Sequence, residues 1–236
     1  MLKNTAAKIA ILTGTLTLAA AAQAAPITID DFTDGQVLAL AEAPASNTLT
    51  ETIAGGMLGG FRTLVLTAND NGDIFTGNFL DVNVNAGGNG ALVVSNGTGV
   101  HGEVLSIWDA AGAGLGGEDI TAGGLNSFIT MDVLTIDLGV SVEFTLEDTS
   151  GNSFSVTDAF SGPGIFQSDL AAFTGVDSTS IDSIQMRLFS RDSAWDGAVD
   201  FVETNTRVPE PTAIALLGLG ISLLGFQTAA RRKKQA

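Results

Sequence analysis

The chain has 236 residues, enough for one domain of ordinary size once terminal segments are set aside, and its 45% hydrophobic content with 13 Phe fills a core and excludes disorder throughout. Ten Lys and Arg against 26 Asp and Glu give a formal charge of −16, which repels a phosphate backbone and excludes nucleic acid as a partner. No Cys is present, so disulfides, thiolate metal sites and cysteine nucleophiles are excluded too.

The first predicted element is a secretory signal over residues 1–24. Lys3 and Lys8 precede an apolar run at 9–22, and Ala22 and Ala24 flank Gln23 with the small side chains that a signal peptidase accepts. A run of 14 residues rises about 21 Å as a helix, short of a hydrocarbon core of roughly 30 Å, so this signal helix is expected to be cleaved after Ala24.

Residues 25–207 then read as one secreted β domain. Strands are predicted at 27–32, 61–68, 80–85, 91–95, 103–108, 134–138, 140–147, 153–157, 183–189 and 198–203, separated by Gly, Asn, Asp and Ser clusters. The plainest alternation sets Val140, Val142, Phe144 and Leu146 against Ser141, Glu143, Thr145 and Glu147, as in a half-buried strand. The stretch 147–152 reads as a hairpin loop, with Gly151 free to take a positive φ. Only 167–173 suggests a helical turn. The expected class is all-β, an antiparallel β-sandwich of jelly-roll type. Between 26 and 206 three arginines and no lysine face 25 carboxylates, a formal charge of −22.

The last element has three parts. Val208, Pro209, Glu210 and Pro211 lead an uncharged stretch at 212–230, and Arg231, Arg232, Lys233 and Lys234 close it. Nineteen helical residues reach about 28 Å, enough for a transmembrane helix. The cations stay cytoplasmic by the positive-inside rule, as a membrane stop, and the acidic domain lies across the inner membrane.

The order of these parts at 208–234, with the Leu- and Gly-rich run from Ala213 to Gly220, resembles the PEP-CTERM sorting signal of Gram-negative bacteria. That resemblance implies processing by exosortase, an integral-membrane cysteine transpeptidase, and an association with exopolysaccharide and biofilm production. Physically, Pro209 and Pro211 stop the helix and hold an extended segment at the membrane surface, where an enzyme can grip backbone that is not helically bonded.

Within the domain, Asp30-Asp31-Phe32, then residues 62–66, 118–121, 176–184 and 199–203, are similar in order and spacing to jelly rolls of the galactose-binding type. The resemblance implies a structural calcium between the first and last strands, at Asp30 or Asp31 with Asp200. A second calcium candidate is the loop holding Asp70, Asn71 and Asp73 around Gly72, whose hard oxygens suit the ion although the downstream Glu of an EF-hand is missing. Calcium is the one cofactor these residues suit.

Sugar binding asks for aromatic platforms, and with no Tyr the candidates are Trp108 and Trp195, each followed by an Asp; the bland alternative is that both pack in the core. His101 reads as a turn residue, and no Gly-x-Ser-x-Gly elbow accompanies it, so a nucleophilic triad is not expected. Paired carboxylates could serve a glycoside hydrolase, but with 25 acids any pair is weak evidence. The favoured reading is a non-catalytic exported protein of the cell surface or matrix, met by signal peptidase, exosortase and exopolysaccharide. Its rivals are a calcium-dependent carbohydrate-binding module and, further off, the hydrolase.

Overall fold

A computed structural model describes residues 25–41, 47–70, 79–160, 162–192 and 194–206. Their strands are β1 (Ile27–Asp30), β2 (Gln36–Ala41), β3 (Asn47–Ala54), β4 (Phe61–Asp70), β5 (Phe79–Val84), β6 (Leu92–Asn96), β7 (Val100–Trp108), β8 (Phe128–Ile136), β9 (Val140–Asp148), β10 (Ser153–Phe160), β11 (Gly164–Asp169), β12 (Ile181–Phe189) and β13 (Asp196–Asn205). They form two antiparallel sheets. One has the order β11-β8-β13-β6-β5-β2, with β1 also on β13; the other has the order β10-β9-β12-β7-β4-β3. The fold is the all-β sandwich that the alternation implies.

The two sheets bury the apolar faces that period-2 patterning marks along β9 and β12, but not the one expected at 134–138: β8 buries Ile129, Met131 and Val133 instead, and Leu134 and Leu138 are exposed. Val140, Val142, Phe144 and Leu146 of β9 point inward with Ile184, Met186 and Leu188 of β12, and meet Ile129, Met131 and Val133 of β8 from the other sheet. Phe144 stacks on Phe166 of β11 with ring centroids 6.4 Å apart, which ties the sheets together near one edge. Each such side chain stabilises the fold by about 1.5–3 kcal/mol relative to exposure.

Several elements differ from expectation, each for a local reason. In β2, Val37 and Ala39 face solvent while Leu38 and Leu40 are buried, so an apolar outer face conceals the alternation. The predicted helical turn at 167–173 divides in two: β11 runs to Asp169, and a 3-10 turn follows over Leu170–Ala172 because the Asp169 carboxylate accepts the Ala171 N–H at 2.9 Å. His101 lies inside β7, opposite Asn69, rather than in a turn. The 147–152 hairpin is as expected, with Gly151 at φ 78.

The strand β13 organises the site-bearing end of its sheet. Asp196–Val199 pair with β6, whereas Val202 to Thr204 pair with β1 on the same side, and between them the register against β8 shifts. This bulge lets one long strand serve two short neighbours.

Candidate functional site

Part of the expected machinery lies outside the described residues: the signal at 1–24, the sorting residues Val208 to Pro211, the span at 212–230, the basic cluster Arg231 to Lys234, Asp73 and the side chain of Asp70. Among the described residues no helix is long and apolar enough to cross a membrane.

The expectation of tryptophan platforms is corrected by the packing. Trp108 is fully buried at the end of β7, where its indole N–H donates to Asp30 Oδ2 at 2.9 Å. Trp195 is buried as well, and its N–H donates to the carbonyl of Gly102 at 3.0 Å. Neither ring offers a face to a sugar; each fills core volume while a single internal acceptor satisfies its polar atom.

Asp30 is likewise removed from the calcium candidates, because it is the buried partner of Arg62. Asp31, next in sequence, is exposed and accepts the Thr33 hydroxyl at 2.6 Å and the Thr33 N–H at 3.0 Å, bonds that hold its pKa below the usual carboxylate range. Asp200 sits in the β13 bulge; desolvation pushes its pKa up, and the charges of Asp132 and Asp31 add to that. The fold thus brings Asp31 and Asp200 within electrostatic reach and adds Asp132, which the sequence did not single out. Among the described residues no three His, Cys, Asp or Glu side chains converge to hold a metal ion.

The outer face of the six-stranded sheet carries a second constellation. Register places Arg187 of β12 between Leu105 of β7 and Glu143 of β9, with Phe189 and Gln185 above and below it on the same face. Its guanidinium donates to both oxygens of Glu103, at 2.8 and 3.1 Å, reaches Glu143 at 3.5 Å, and lies 4.3 Å from the Phe189 ring centroid. The fork is therefore fixed, and the half-buried cation is raised above its ordinary pKa by these acids against the opposing desolvation. Thr157 donates to Glu143 at 3.1 Å, and Thr145 shares a hydrogen bond with Ser155 at 2.7 Å.

Where this face meets the loop after β7, a pocket of ≈ 210 Å³ opens between Asp109, Glu147, Asp182, Ser183 and Gln185, floored by Gly112 and Gly114. A left-handed turn builds its rim, with Ala110 at φ 52, Ala111 at φ 57 and Gly112 at φ 82. Two alanines in that region cost about 1–2 kcal/mol each. The turn is held because the carbonyl of Asp109 accepts the N–H of Gly114 at 2.8 Å and the Asp182 carbonyl accepts that of Leu115 at 2.8 Å. Gly114 is required twice over: its φ is +81, and an added Cβ would strike the Asp182 carboxylate.

The pocket offers carboxylate, amide and hydroxyl groups suited to the hydroxyls of a polyol. Phe61, 38% exposed at the start of β4, and Phe189 are the aromatic groups on this face. A period-2 reading of β12 would have found Phe189 and Arg187, since Ile184, Met186 and Leu188 take the inner face. Asp200 and Glu203, whose carboxyl groups desolvation pushes upward, belong to the other sheet.

Residues 207–234 match the PEP-CTERM protein-sorting motif. No curated protein matches the chain. Among solved structures, the chain is similar to a family 11 carbohydrate-binding module from Clostridium thermocellum in complex with a β-1,3-1,4-mixed-linked tetrasaccharide, at 12% identity and TM-score 0.38, covering 78% of this chain and 98% of that one. It is also similar to the family 30 carbohydrate-binding module of a cellulosomal cellulase of C. thermocellum, at 12% identity and TM-score 0.37, over 73% and 99% of the two chains. An exo-β-agarase aligns at 10% identity and TM-score 0.39 over 78% of this chain and 25% of its own.

Proposed function

We propose that this is an exported, non-catalytic surface or matrix protein that contacts exopolysaccharide through the outer face of its six-stranded sheet. The observation that carries the reading is the PEP-CTERM sorting motif at 207–234. On this reading signal peptidase removes residues 1–24, the helix at 212–230 holds the chain in the inner membrane of a Gram-negative bacterium, and exosortase processes it at Val208 to Pro211. The three-arginine, 25-carboxylate composition of 26–206 keeps the product soluble outside the membrane. The polar pocket and the fixed Arg187 fork give glycan hydroxyls preorganised partners, with Phe61 and Phe189 supplying the apolar surface.

The test has two arms. Replacing Pro209 and Glu210 together should block processing, read as retention of the C-terminal mass in cells; unchanged release and mass would sink the sorting assignment. The processed protein should be retarded in affinity gels containing exopolysaccharide from its host, and mobility identical to that in a plain gel would remove the glycan role.

A calcium-dependent form of the same reading draws on Asp31, just after β1, and Asp200 of β13, whose like charges act on each other. One ion bridging that pair, completed by water and backbone oxygens, would stabilise the fold by mass action. The Tm should then fall with chelator, whereas superimposable melts would eliminate the ion.

A further inference from the structure

The strand β10 ends its sheet, and among the described residues no strand pairs with its outer side. All eight of its residues are in unbroken register with β9, without a bulge. Its sequence, Ser-Phe-Ser-Val-Thr-Asp-Ala-Phe, has no lysine and no proline, and nearly every position is exposed. Lysine, proline and a bulge are absent from this edge, whose one protecting device is Asp158, a charge that register with Val142 turns to the inner side; among the described residues the outward row of backbone donors and acceptors has no strand partner. The opposite edge differs: the Glu51 carbonyl of β3 accepts the Gln36 side-chain amide at 3.1 Å from the other sheet.

Charge narrows the partner. In a domain with 25 carboxylates, β10 carries one, Asp158. It is a stretch where two copies can approach with little repulsion.

We infer that β10 pairs antiparallel with β10 of a second copy of this chain, joining two six-stranded sheets into one. A two-fold axis normal to the sheet keeps inner faces inner and must pass through a residue position; the two central ones, Val156 and Thr157, pair the most of the eight residues. About Val156, Ser155 opposes Thr157 of the other copy and Asp158 opposes Phe154. About Thr157, Ser155 opposes Ala159 and Asp158 opposes Val156. In neither register does Asp158 face itself, and hydroxyl and apolar residues fill the remaining pairs.

The native chain has no cysteine, so single cysteines report the contact cleanly. In the full-length protein, Val156→Cys or Thr157→Cys should form a disulfide-linked dimer under mild oxidation, whereas Thr50→Cys on β3 should not. Sedimentation of the native protein should show a monomer–dimer equilibrium that Ser155→Glu weakens several-fold, and higher salt should strengthen it by screening the like charge of the two domains. A monomer at every concentration overturns the inference. So does equal cross-linking at positions 50, 156 and 157, the pattern expected if association ran through the hydrophobic tail.

Discussion

Trp108 and Arg62 share one buried acceptor: the indole N–H and the guanidinium Nη1 each donate to Asp30 Oδ2 at 2.9 Å. Arg62 also gives Nε to Gln36 at 3.1 Å and Nη2 to the Asp34 carbonyl at 2.6 Å, and its carbon Cζ lies 5.6 Å from the Phe32 ring centroid. The Phe32 N–H donates to Asp30 Oδ1 at 2.8 Å. A charge pair with no solvent exposure to speak of thus joins β1 and β2 of one sheet to β4 and β7 of the other, with its hydrogen-bonding capacity internally satisfied.

Removing one member of this pair is expected to be severe. Asp30→Ala leaves a buried guanidinium uncompensated and should cost about 3–5 kcal/mol. Trp108→Phe keeps most of the volume but drops one of several bonds to Asp30, and should cost about 1–2 kcal/mol. Urea unfolding of both variants checks the ranking; equal losses would contradict the shared-acceptor arrangement.

Asp148 gives a pH signature. The Asn152 side-chain amide first, then the Asp177 N–H and the N–H groups of Asn152 and Ser150, hold its pKa at about 2. Its folded value lies below the unfolded one of roughly 3.9, so its stabilisation is present above the unfolded value and lost as pH falls toward about 2. Asp148→Asn should therefore lower Tm at pH 6 and lose that difference in strongly acid solution, as thermal melts across the range would reveal.

Asp200 acts with the opposite sign. Desolvation, with Asp132 and Asp31 nearby, raises its folded pKa, so its cost to stability sets in above the unfolded value of roughly 3.9 and is complete above the raised one. In chelator, Asp200→Asn should raise Tm at neutral pH, and the gain should shrink as pH falls below the raised pKa and vanish below the unfolded one. A variant less stable than the native protein at pH 7 in chelator would refute the repulsion.

At the pocket, Glu147→Gln and Asp182→Asn should weaken exopolysaccharide retardation several-fold while leaving Tm nearly unchanged. Gly114→Ala should instead lower Tm, by about 1–2 kcal/mol of stability from the left-handed backbone alone, because the added methyl also meets the Asp182 carboxylate. Gel mobility and melting measured on the same samples separate contact loss from misfolding.

Much of the fold was legible because alternation along β9 and β12 dictates which side chains are apolar together, and this holds wherever each strand ends up. The hairpin around Gly151 was legible for a related reason: the positive φ is a local requirement that glycine meets by itself. The strands β2, β3 and β11 were not legible, since outward apolar side chains in β2 and a capped turn after β11 erase the local signal.

The sequence by itself determined the sandwich class and the sorting tail, because period-2 hydrophobicity and a linear recognition motif are properties of neighbours along the chain. Tertiary structure alone decided that Trp108 and Trp195 are interior, that Asp30 belongs to Arg62 rather than to an ion, and that Asp109, Glu147 and Asp182 line one pocket. Alternation assigns a side chain to one face of its strand but is silent on which strand lies beside it and what covers that face. Those are fixed only when distant segments pair and the two sheets close on each other.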